Sequence, residues 1–122
     1  MTATEARRQL KVGDTAFILS HQRPGHTPEV YERQVTRVGR VWFHAFNAGR
    51  FDIESGWEDG EGRTPMRMAF ASRVTLEAHQ ERARLVGEAH TLAHRAKFSR
   101  LDGPQLLQVI ELLRLADGPV TR

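Results

Sequence analysis

Three groups of side chains in this sequence are of types that do chemistry. The first is a histidine pair, His90 and His94, four residues apart. On a helix that spacing puts two imidazoles on one face, where they could share a metal ion. A zinc-protease helix would carry glutamate at position 91, and Thr91 stands there instead. His79 falls three turns earlier on a similar face, but no third ligand is evident. These histidines therefore read as solvated or interface residues, and no metal site is expected. The second group is acidic. Asp52, Glu54, Glu58, Asp59 and Glu61 share a stretch without Lys or Arg. Paired carboxylates serve hydrolysis or hold a cation, but no Asp-x-Asp-x-Asp-Gly loop is present, so a solvated acidic loop is expected, one that would repel nucleic acid from its edge of the fold. The third group mixes bases with aromatics: Arg33, Arg37, Arg40 and Arg50 with Tyr31, Trp42 and Phe46. Exposed aromatics stack on bases while arginines contact phosphates. The competing reading packs Trp42 and Phe46 beneath helices and leaves the arginines to solubilise the strands.

Other chemistries lack their residues. There is no cysteine, hence no disulfide framework and no thiolate metal site. His21 and His26 flank a loop with no Ser, Cys or acid at motif spacing. No Gly-rich phosphate loop or Gly-x-Ser-x-Gly elbow occurs. The expectation is a protein that is not an enzyme, with no catalytic residues and no cofactor.

The elements that must position the basic and aromatic side chains centre on VYERQVTRVGRVWFHAF, Val30 to Phe46. This is the densest β-branched and aromatic run, and Gly39 is its turn signal, so two antiparallel strands are predicted, Tyr31–Val38 and Arg40–Phe46. Tyr31, Arg33 and Val35 share one parity and Val38 the other; a bulge near Thr36 would turn both valines inward. Before the hairpin, Val12-Gly13-Asp14 opens a strand, Thr15 to Ser20, apolar on both faces and so covered on both. His21 to Pro28 is a loop. After it come a strand at Arg50–Ile53, with Phe51 and Ile53 inward, an acidic loop over Trp57–Thr64, and a last strand at Met66–Ala71 with Met66, Met68 and Phe70 on one side. Five short strands within about 60 residues, with no helix between them, predict a small antiparallel barrel or sandwich.

At Ser72 the period becomes helical. Ser72 or Thr75 would cap a helix over about residues 73–97, and Asp102-Gly103-Pro104 starts another over 104–116 that Asp117-Gly118-Pro119 ends. The last helix carries Leu106, Leu107, Val109, Ile110, Leu112, Leu113 and Leu115 against a polar strip of Gln105, Gln108, Glu111 and Arg114. Burying one Leu side chain is worth roughly 1.5–3 kcal/mol. A helix this apolar needs a partner surface, and Leu106, Leu107, Val109, Ile110 and Leu113 are the expected interface of a dimer or higher oligomer. The domain plan is a flexible N-terminal arm (1–10), a barrel (11–71) and a two-helix hairpin extension (72–122), an α+β chain.

The chain of 122 residues carries a net charge of +3. That permits nucleic-acid binding without demanding it. The charge is uneven, with eight basic residues against three acids from Arg63 to Arg100. No apolar run is long enough to span a membrane and no signal-type core opens the chain, so a cytoplasmic site is expected.

Val12-Gly13-Asp14-Thr15, a loop with Gly25, and Val35-Thr36-Arg37-Val38 resemble the opening of KOW-type SH3-like barrels. Extended through Arg50-Phe51-Asp52-Ile53-Glu54-Ser55-Gly56 into the Glu/Gln/Arg-rich helix from Glu77, the pattern resembles small β-barrel proteins encoded by bacteriophages of actinobacteria. It covers about residues 11–85 and implies an SH3-like barrel and a bacterial host cytoplasm. One departure is the long His21–Pro28 loop with two prolines, where the KOW loop is short and Gly-centred. The function expected first is a phage-encoded, non-enzymatic accessory protein that binds a host protein and itself; the alternative is a DNA- or RNA-binding module using Arg33, Arg37, Arg40, Trp42 and Arg50.

Overall fold

The computed structural model describes residues 1–21 and 27–118. Most of the His21–Pro28 loop, including Gly25 and His26, and the terminal Pro119 lie outside the described residues. Five strands follow a short helix: α1 (Ala3–Arg8), β1 (Thr15–Ser20), β2 (Glu29–Val38), β3 (Trp42–Ala45), β4 (Gly49–Asp52) and β5 (Arg67–Phe70). All pairings are antiparallel in the order β4-β3-β2-β1-β5. Isolated bridges Phe51–Glu58 and Trp57–Met68 link the two outer strands, giving a nearly closed five-stranded barrel. The acidic segment is thus not wholly a loop. Trp57 and Glu58 are pinned by backbone bonds from Asp52 N–H to Trp57 O and from Glu58 N–H to Arg67 O, 2.8 and 3.0 Å.

Alternation along the strands fills the barrel. Ala16, Ile18, Val35, Phe43, Ala45, Phe51, Ile53 and Ala69 are buried together, with the Phe43 and Phe51 rings stacked 5.6 Å apart. The opposite faces of β1 and β5 form a second apolar layer, where Leu19, Met68, Phe70 and Phe17 meet Ala3 of α1 and Leu76 of the second helix, α2 (Arg73–Arg95). The strand predicted to be apolar on both faces is covered on both. The ladder between β2 and β3 shifts register between Val35 and Arg37, so Thr36 is the bulge. It turns both valines to the inner face, Val35 opposite buried Ala45 and Val38 opposite buried Phe43, though at the strand end Val38 stays 38% exposed.

The N-terminal residues are not a free arm. Thr2 Oγ accepts from Glu5 N–H and caps α1, and Arg7 on that helix is 3% exposed. Its guanidinium donates to the carbonyls of Ile53, Glu54 and Ala69 at 2.7, 2.8 and 3.2 Å. Those carbonyls belong to turn and strand ends with spare lone pairs, and a buried cation with three acceptors organises a helix that composition alone would leave frayed.

The chain divides into two compact units, Met1–Arg84 and Leu85–Arg122. The first is longer at both ends than the expected 11–71, because it includes α1 and the first half of α2. In the second, the end of α2 leads through a short 3₁₀ turn (Phe98–Arg100) into α3 (Gly103–Asp117). Asp102 and Gln105 cap α3 reciprocally: Asp102 Oδ1 accepts from Gln105 N–H and Gln105 Oε1 from Asp102 N–H. No helix among the described residues is long and apolar enough to cross a membrane.

Candidate nucleic-acid interface

The register of β2, β3 and β4 decides which basic residues act together. Arg37 pairs with His44, and His44 with Arg50. The three therefore form a row across three strands, about 10 Å long at the usual strand spacing. Trp42, two residues before His44, lies on the same face opposite Asp52. This face points away from the core, since the intervening Phe43 and Ala45 are buried. Arg50 lays its guanidinium on the Trp42 ring, 4.5 Å from the centroid, and is ion-paired to Asp59 at 2.6 Å. Trp42 and His44 are half-buried, while Arg37 and Arg50 are exposed. A cation held over an indole is a preformed platform on which a base can stack, with the flanking Arg37 available for phosphate.

Arg33 does not belong to this face. It pairs with Ala16, whose side chain fills the barrel, and stacks on Tyr31, 4.7 Å from the ring centroid. Arg33 shares parity with Val35, and that parity points inward. Arg40 sits in the β2–β3 turn, where Gly39 N–H bonds to Trp42 O at 2.8 Å, exposed and outside the row. His44 was not among the expected residues. Its parity with Trp42 in WFHA was the signal that would have found it.

The acidic residues are largely consumed in structure. Glu58 pairs with Arg67 at 2.6 Å and Glu54 with Arg8 at 2.6 Å. Asp52 Oδ1 accepts from the N–H groups of Glu54 and Ser55. The Asp59 carboxyl is held below its usual range by the Arg50 hydrogen bond and by Glu61 N–H. Burial pulls the Arg67 pKa down, but hydrogen bonds to Tyr31 and Glu58 outweigh it and leave that guanidinium above its ordinary value. The Glu58–Arg67 and Arg50–Asp59 pairs line a polar cavity of about 640 Å³ between Ser20 and Tyr31 on one side and the Glu58–Arg67 segment on the other. Among the described residues no cluster of three or more His, Cys, Asp or Glu is placed to hold a metal ion.

Of the expected self-association residues, Leu107, Ile110 and Leu113 are exposed on α3 at 62, 42 and 52%, while Leu106 and Val109 are half-buried.

Compared with known proteins, residues 1–117 match the family model described as Phage ProQ C-terminal-like domain. No curated protein and no solved structure matches the chain.

Proposed function

This chain belongs to the Phage ProQ C-terminal-like domain family, and from that premise we propose that it is a non-enzymatic phage protein that binds single-stranded RNA through the outer face of β2, β3 and β4. The observation that carries the reading is the Arg37–His44–Arg50 row beside a Trp42 ring that remains partly exposed under a stacked guanidinium. Single strands are bound by aromatic faces for bases and by arginines for the backbone. The phage ProQ-like description points the same way. This reading reverses the order expected from sequence, which put protein contacts first.

The test is a titration of short labelled RNA and DNA at about 50 and 200 mM salt. Each phosphate contact on a single strand contributes about −0.7 to the slope of log K against log salt. Micromolar binding with a slope of about −2 is expected, with RNA bound more tightly than DNA. Trp42→Ala should weaken binding by about 1–3 kcal/mol through lost stacking, and Arg37→Ala should flatten the slope by about one contact. Absence of binding at 50 mM would sink the reading.

A second, compatible reading concerns α3. Leu107, Ile110 and Leu113 are exposed large apolar residues on one 15-residue helix, and this supports self-association through the helical unit, as in a helix pair between two copies. Sedimentation should report a dimer or higher species that Leu107→Glu/Leu113→Glu converts to monomer; a monomeric wild-type chain at tens of micromolar would remove it.

A further inference from the structure

The cavity beside the proposed RNA face has its own chemistry. Its fixed charges cancel: Arg67 is paired with Glu58 and Arg50 with Asp59, each at 2.6 Å. An anion is therefore not what it selects. Hydrogen-bonding capacity is left over. Ser20 is 1% exposed, lies in the cavity wall, and its hydroxyl has no hydrogen-bond partner among the described residues. A buried unpaired hydroxyl is costly and rare, which marks a position where something else completes the bond. Tyr31 OH accepts from Arg67 Nη1 at 3.3 Å and keeps its own proton to donate. Glu61 and Arg63, exposed residues of the same lining, have side chains in no ion pair or hydrogen bond among the described residues. The site thus offers donors and acceptors around a neutral space, and its size is that of ordinary small-ligand sites.

Arg50 connects the cavity to the outer face, because this residue lines the cavity beside Asp59 and sets its guanidinium over Trp42. Resting on the RNA-binding reading, we propose that this cavity receives one unpaired nucleobase of the bound strand and reads its hydrogen-bonding edge through Ser20, Tyr31, Glu61 and Arg63. A base is planar, uncharged and carries both donors and acceptors, which matches what the walls leave unpaired. Phosphates stay outside, on Arg37 and Arg50. Sequence preference then resides in the cavity and overall affinity on the strand face.

The experiment compares the full chain binding to four six-nucleotide RNA homopolymers at 100 mM salt. The expected result is a spread of at least tenfold between the best and the weakest. Ser20→Val, which removes the hydroxyl and puts a methyl in its place, should collapse that spread to under threefold, and so should the surface double variant Glu61→Ala/Arg63→Ala, which decides the matter if the valine variant fails to fold. Arg37→Ala should instead weaken all four alike and keep their ratios. Four homopolymers bound equally, or a spread that survives in both cavity variants, overturns the base pocket while leaving RNA binding standing. No binding of any homopolymer overturns both.

Discussion

Arg7 is the residue on which the N-terminal third depends. It has three backbone carbonyls and Thr4 Oγ1 as acceptors. Burial lowers its pKa, while Asp52 and Glu54 act in the opposite direction. Arg7→Ala would leave buried carbonyls without donors, at about 1–3 kcal/mol for such a group, and chemical denaturation should show a loss of about 2–4 kcal/mol. Gly56 completes this lock. Its φ is +83°, and a Cβ there would stand 2.7 Å from Arg7 Nη1 and 3.0 Å from Ala69 O. Gly56→Ala should cost about 1–3 kcal/mol through strain and displacement of the guanidinium. His79 adds a pH dependence. It stands against the Phe70 ring at 5.1 Å, and burial, then His21, Arg82 and Arg7, lower its pKa from the usual value of about 6.5. The folded state favours the neutral ring, so stability is full above about pH 6.5. It declines as pH falls below that and levels off once folded His79 itself takes a proton. Melting temperatures between pH 7.5 and 5 should show this decline, and His79→Gln should flatten it. None of these roles was readable in advance: Arg7 and Gly56 are far apart in the chain, and an exposed-looking arginine in MTATEARRQL gives no sign of the carbonyls it will meet.

At the scale of elements, most of the barrel was legible because period-2 alternation and turn residues act locally. Thr15–Ser20 was read to the residue. The bulge at Thr36 followed from the parity change between Val35 and Val38, and it does set both on the inner face, with Val38 left part-exposed only by its place at the strand end. The candidate face was half legible: Arg37, Trp42 and Arg50 share one face, but Arg33 points inward, Arg40 sits in the turn outside the row, and His44 joins them. The cavity was not legible, since it needs β1, β2 and the 58–67 segment brought together. The start of α3 was written in its sequence, Asp102-Gly-Pro-Gln105. Asp102→Ala should cost about 1 kcal/mol by removing a capping box, and helical ellipticity should fall while the strand signal is unchanged.

For the whole molecule, the division at Arg84 means that the proposed RNA-binding machinery lies in one compact unit, while the exposed apolar helix lies in the other. A chain ending at Arg84 should fold cooperatively and bind RNA hexamers within about threefold of the intact protein, with any dimerisation lost; calorimetry and the same titration check this. Had the RNA face depended on α3, truncation would abolish binding. The barrel's closure sets a last constraint on what the protein joins. Glu58 occupies the free margin of β4 and Trp57 that of β5, through single bridges to Phe51 and Met68. A sheet with both margins taken offers no backbone template to an extended peptide or to an unfolded neighbour. Partners must then dock by side chains or by helices, and crowding many copies into a small volume should not nucleate fibrils from the native barrel.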